Sequence, residues 1–111
     1  MAAPILVNGV TGVLATPIFV AGPCKLYDYD IYNSAAAASF VSFYDTLLAP
    51  TVGTTVPKWQ VGLATLTTKT LGAQDVAGIF FRDGLWIAAT TTQGGNTAPG
   101  AALVISVGIG N

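Results

Sequence analysis

With 111 residues, 52% of them apolar and 8% charged, the chain is long enough for one domain with a sandwich or barrel core and too short for two. Its net charge of -1 comes from Lys25, Lys58, Lys69 and Arg82 against Asp28, Asp30, Asp45, Asp75 and Asp83. These charges form no run, which excludes the basic face a nucleic-acid binder needs. The sequence contains neither His nor Glu, so the commonest general bases are missing and most acid–base enzymology is excluded with them.

In chain order, the opening Met1-Ala2-Ala3-Pro4-Ile5-Leu6-Val7 lacks the basic start and long apolar run of an export signal. Residues 101–110 are the longest apolar stretch, well short of the roughly 20 a membrane helix requires. A soluble cytoplasmic product with no membrane partner is expected. Residues 5–10 and 13–20 predict two strands split at Gly12, with Pro17 pushing the second toward a sheet edge. Residues 25–33 alternate, Tyr27, Tyr29 and Ile31 facing one way and Asp28 and Asp30 the other. After the small-residue connector Asn33-Ser34-Ala35-Ala36-Ala37-Ala38, residues 39–45 place Val41 and Phe43 on one face and predict the return strand of a hairpin. The alanine run is too short to nucleate a helix.

Residues 49–57, punctuated by Pro50, Gly53 and Pro57, predict a long exposed loop. Residues 58–65 alternate again, with Trp59, Val61, Leu63 and Thr65 on one side, and Trp59 is expected in the core. The Arg82-Asp83-Gly84 step between apolar runs 76–81 and 85–92 predicts a hairpin or a sharp corner. A second loop, residues 93–100, precedes a last strand whose inward row is Leu103, Ile105, Val107 and Ile109. About six to eight short strands with no helix for a crossover predict an all-β fold, an antiparallel β-sandwich or jelly-roll-like barrel.

Few side chains here carry chemistry. Asp28 and Asp30, one residue apart on a strand face, offer a carboxylate dyad or two ligands for a hard cation, against the plainer expectation of a solvated face. Cys24 is the single cysteine and is expected to be a buried structural thiol. Gly94-Gly95 and the glycines of residues 108–110 precede no helix, so they are turn and strand glycines with no phosphate cradle. The aromatics suit a sugar-stacking platform or an interface. Trp86, out of phase with Leu85 and Ile87, is the exposed anchor to weigh, and with Asp83 and Gln93 it forms the sole neighbourhood that suggests a glycan site.

The strings Gly22-Pro23-Cys24-Lys25-Leu26-Tyr27, Ile31-Tyr32-Asn33-Ser34-Ala35-Ala36-Ala37-Ala38, Phe43-Tyr44-Asp45 and Ala49-Pro50-Thr51-Val52-Gly53-Thr54 resemble a family of small tailed-bacteriophage virion proteins. Asp83-Gly84-Leu85 and the Gly-Gly-Asn-Thr-Ala-Pro loop are similar as well, so the resemblance spans residues 22–110. It implies a non-enzymatic β-sandwich component of a virion, with capsid decoration, or cement, the first expectation and a tail- or fibre-associated host-glycan-binding module the alternative. It implies no cofactor, no metal and no catalytic residue. The expected partners are further copies of the chain, as a homotrimer or dimer, and the major capsid protein of a phage head. The expected organisation is an N-terminal arm or pair of edge strands, residues 1–21, on a single sandwich domain, residues 22–111. Ile5, Leu6, Val7, Ile18, Phe19 and Trp86 are the expected interface residues, on an arm that reaches a neighbouring subunit or the shell.

Overall fold

The structure, a computed structural model, describes residues 6–13, 15–71 and 78–110. Nine strands are found among them: β1 (Leu6–Val13), β2 (Ile18–Ala21), β3 (Cys24–Tyr32), β4 (Ser39–Asp45), β5 (Trp59–Leu63), β6 (Thr68–Leu71), β7 (Ile79–Phe81), β8 (Leu85–Thr90) and β9 (Leu103–Gly110). The first sheet runs β1-β9-β3-β6, with β7 also on β3, and the second runs β2-β8-β4-β5. All these pairs are antiparallel. β6 lies beside Tyr29–Tyr32 and β7 beside Cys24–Leu26, so the two sit end to end on one edge of β3. The nine strands therefore fill eight places, four in each sheet. The chain passes between sheets at nearly every connection, and β4–β5 alone forms a hairpin between neighbours of one sheet among the described strands. This is the double-sheet jelly roll, and the all-β expectation holds.

Between the sheets the alternating rows interlock. Leu26, Ile31, Val41, Phe43, Phe81, Leu85, Ile87, Leu103 and Ile105 are fully buried. Each such side chain contributes about 1.5–3 kcal/mol relative to exposure. Tyr29 of the first sheet stacks on Phe43 of the second, their ring centres 5.5 Å apart. The inward row of β9 is Leu103, Ile105, Val107 and Ile109, as its alternation predicts. Cys24 is likewise buried in the core.

Three local expectations are corrected and one open choice is settled. β3 and β4 form no hairpin, because they belong to different sheets and the connector after Asn33 carries the chain across. The 82–84 step resolves as a corner, since β7 and β8 also lie in different sheets. On β3 the register against β9 shifts between Leu26 and Asp28, so the core row runs Cys24, Leu26, then Tyr29, Ile31. Such a bulge reverses the inward phase. Tyr27 is buried outside that row, beside Gly78, where a φ of +69° and a Cβ that would lie 3.0 Å from the Tyr27 ring leave no room for a side chain. Trp59 has the inward phase of Val61 and Leu63 but opens β5, an edge strand, and stays 40% exposed. Its indole Nε1 donates to the Tyr29 hydroxyl at 3.4 Å.

β1 and β2 take an outer edge of each sheet, β1 beside β9 and β2 beside β8. Pro17 directly precedes β2, an edge place where a missing N–H costs no ladder bond.

Candidate functional site

Two buried polar side chains fix the loops that build the surface. Asn33 is fully buried where the chain leaves β3. Its Nδ2 donates to the carbonyls of Ala37 at 3.0 Å, Ala64 at 3.1 Å and Leu63 at 3.4 Å. Its Oδ1 accepts from the Ala35 N–H at 3.0 Å and the Ser39 hydroxyl at 3.3 Å. One amide thus ties the β3–β4 crossing to the β5–β6 crossing, at one end of the sandwich.

Asp45, at the end of β4, does the same at the other end. Its carboxylate accepts from the backbone N–H groups of Arg82 at 2.9 Å, Asp83 at 2.8 Å and Gly84 at 3.3 Å, and Lys58 Nζ lies 3.7 Å away. Burial pushes its pKa up, but the three N–H donors and the Lys58 charge outweigh that and hold it below the usual carboxylate value. Burial, and after it the negative charge of Asp45, pushes the Cys24 thiol up, so Cys24 stays protonated and unreactive at neutral pH.

Beside the 82–84 corner, the outside of the second sheet carries an apolar patch. Phe19 on β2 is 53% exposed and meets half-buried Trp86 of β8 edge to face, ring centres 5.1 Å apart. The Trp86 indole N–H donates to the Thr46 carbonyl at 3.1 Å, and the Thr46 hydroxyl donates to the Leu48 carbonyl at 2.6 Å. The chain just after this anchor presents Leu47 and Leu48, 75% and 78% exposed.

Further along the same sheet the outer face is roofed. Ser42, Tyr44, Ala88 and Thr90 have the outward phase yet are almost wholly buried. The β4–β5 connection and the β8–β9 loop fold over them. The first is closed by the Thr54 and Thr55 N–H groups donating to the Thr51 carbonyl at 3.0 and 2.8 Å, the second by the Gly95 N–H donating to the Thr92 carbonyl at 3.1 Å. The loops touch at Gly53, where a Cβ would lie 3.0 Å from that of Asn96. Because Gly53 also has a φ of +91°, Gly53→Ala is expected to cost about 1–2 kcal/mol, read as a lowered thermal midpoint. An unchanged midpoint would mean the roof does not need that contact. Under the roof lies a cleft of about 180 Å³, floored by Ser42, Tyr44 and Gln60 and walled by Thr54, Val56 and Gly94.

Of the expected interface residues, Phe19 and Trp86 come together and Ile18, on the same strand, turns inward against the core. Leu6 and Val7 lie in β1, paired in register with Ile109 and Gly108, and Ile5 lies outside the described residues. The Trp86, Asp83 and Gln93 neighbourhood does not assemble. Asp83 precedes β8 and Gln93 follows it, and a six-residue strand separates them by roughly 20 Å. Trp86 is moreover half-covered by Phe19. Asp28 and Asp30 face outward from β3 opposite Gly108 and Ser106. Among the described residues no three His, Cys, Asp or Glu side chains gather as a metal site, while Asp75 lies outside them. No helix among the described residues is long and apolar enough to cross a membrane.

Sequence reasoning passed over Asn33 and Asp45, although a signal was there. Asn33 continues the inward phase of Tyr29 and Ile31, and Asp45 that of Val41 and Phe43. A polar residue in the core row at a strand end marks a buried hydrogen-bonding hub.

No protein-family model matches the chain, and no curated protein matches it. Solved structures similar in shape include the following two. One is a Tobacco streak virus coat protein, 14% identical with a TM-score of 0.44, where the match covers 95% of this chain and 86% of that one. The other is a chain from the disulfide-linked pili of Bacillus endospore appendages, 14% identical with a TM-score of 0.44, covering 97% and 89%. Likeness at this level assigns no function.

Proposed function

We propose that the protein is a non-enzymatic structural component of a virion, acting as a capsid decoration protein that binds its own copies and the major capsid protein on a phage head. The observation that carries this reading is the apolar end surface, where Leu47, Leu48 and Phe19 are each more than half exposed. Leaving two leucines in water forgoes about 1.5–3 kcal/mol each, and a chain with 8% charged residues has little else to keep that surface dispersed. Burial against identical neighbours recovers it. The resemblance of residues 22–110 to phage virion proteins suggests which assembly. A protein that binds across subunit boundaries of the finished shell, and not to free subunits, stabilises the shell by mass action.

Light scattering on the purified protein, followed by sedimentation with expanded capsids lacking it, tests the reading. The wild type is expected to form a dimer or trimer and to saturate the shell at a fixed copy number. The double variant Leu47→Ser, Leu48→Ser is expected to lose shell binding at least about tenfold with its thermal midpoint intact, since neither side chain supports the core. A wild type that ignores capsids would sink the decoration role. Deleting residues 1–20 is a poorer probe of the expected arm, because it removes β1 and β2 from the sheets themselves.

A further inference from the structure

The roofed cleft on the second sheet has the chemistry of a binding site, and the apolar end surface does not account for it. None of its lining residues is charged. Tyr44 forms part of the floor, is 3% exposed, and its hydroxyl has no hydrogen-bond partner among the described residues. No buried side-chain polar atom there is left unpartnered, so this hydroxyl is not sealed in, and Tyr44 lines the cleft. Gln60 commits Nε2 to the Ser42 hydroxyl at 2.7 Å, which leaves Oε1 and a second amide hydrogen for another partner. Among the described residues the Ser42 hydroxyl hydrogen is also uncommitted. The floor therefore offers neutral donors and acceptors side by side, next to the apolar flanks of Val56 and Pro57.

We propose that this cleft binds one neutral sugar ring, such as a terminal unit of a surface glycan. Hydroxyl groups that both donate and accept match the phenol, amide and serine of the floor, and the C–H face of a pyranose matches the apolar flanks of Val56 and Pro57. A phosphorylated or carboxylated ligand would find no cation. At about 180 Å³ the cleft is below the roughly 300 Å³ at which drug-sized sites begin, so it takes a single ring and no longer chain. The roof is held by a loop contact at Gly53 and by closed turns, so the site stands ready in the free protein.

The test is a two-dimensional amide NMR titration of the full chain with methyl glycosides of glucose, galactose, N-acetylglucosamine and rhamnose, with glycerol as control. At least one glycoside is expected to shift the Gln60 side-chain amide and the Gly94 and Gly95 amides saturably, with Kd on the order of millimolar. Tyr44→Phe, which keeps the ring, is expected to weaken that binding about 2- to 10-fold, the effect of one hydrogen bond. Gln60→Ala provides a second variant on an edge strand. No shift at these amides with any of the four sugars, equal shifts with glycerol, or equal affinity in both variants would each overturn the proposal. Shell binding is read separately by sedimentation, so either reading can fail alone.

Discussion

Asn33→Ala is expected to lower the unfolding free energy by about 3–4 kcal/mol, a large part of the 5–15 kcal/mol typical of a domain. The truncation removes five hydrogen bonds at once. It leaves the buried Ala35 N–H without its acceptor, where an orphaned group costs its desolvation, and takes one donor from the Leu63 carbonyl. It also uncouples the two crossings that share this end of the sandwich. Urea denaturation measures the loss, and the slope with urea should be unchanged because the surface exposed on unfolding is nearly the same. Asn33→Asp separates hydrogen bonding from packing. At neutral pH the carboxylate keeps the acceptor for Ala35 and Ser39 but faces three carbonyls with no hydrogen to give, so it should be at least as damaging as alanine. Under acid conditions the protonated group regains one donor, and the deficit should shrink. A loss under about 1 kcal/mol for Asn33→Ala would show that water replaces the amide and that the hub is not structural.

Three strings singled out in the sequence, residues 33–35, 44–45 and 49–54, each have a structural place. Asn33-Ser34-Ala35 is the hub and the turn it closes, with Ala35 buried. Tyr44-Asp45 sets the cleft floor next to the corner latch. Ala49-Pro50-Thr51-Val52-Gly53-Thr54 leads into the roof, closed on the Thr51 carbonyl. These strings specify how the sheets are crossed and how one outer face is covered.

Alternation made the inward rows of β4, β5 and β9 legible, because a strand half buried in a sandwich must repeat every second residue. It could not reveal which sheet a strand joins, since the row looks the same from either side of the core. For that reason residues 25–33 and 39–45 suggested a hairpin, whereas they lie in different sheets. A bulge is equally invisible to a simple period, which hid the change of phase at Tyr27. The cleft was illegible for another reason. Ser42, Tyr44 and Thr90 sit at outward positions that alternation assigns to solvent, and their burial depends on loops brought over them from elsewhere in the chain. Of the end surface, Trp86 was singled out by its phase and Phe19 as part of an apolar segment ahead of the core strands, while Leu47 and Leu48 lay beyond the last alternating residue and gave no period to read.

Asp45→Asn is expected to cost about 2–3 kcal/mol near neutral pH and progressively less in acid. The wild-type carboxylate accepts three backbone N–H groups at a corner where the chain passes between sheets, and bonds to an ionised acceptor are the stronger kind. The Asn variant keeps one oxygen but turns an amide N–H toward a backbone N–H, donor against donor. The pH dependence follows from the lowered pKa of Asp45 in the folded state. Unfolded, the group titrates near 3.9. Between the unfolded and folded values the unfolded chain binds more protons, so stability rises with pH there. The stabilisation is complete above the unfolded value and is lost as pH falls through the folded one. Urea midpoints for wild type and Asp45→Asn at pH 7, 5, 4 and 3 should therefore converge below about pH 4. Lys58→Met removes the nearby cation while leaving the three N–H donors, and is expected to cost less than about 1 kcal/mol because Lys58 is 41% exposed and its ion pair is screened by solvent. That ordering, with asparagine worse than the lysine variant and its deficit much the larger of the two to fade in acid, identifies the backbone donors as the latch. A deficit for Asp45→Asn that stays constant from pH 7 to 3 would instead assign its effect to packing at the corner.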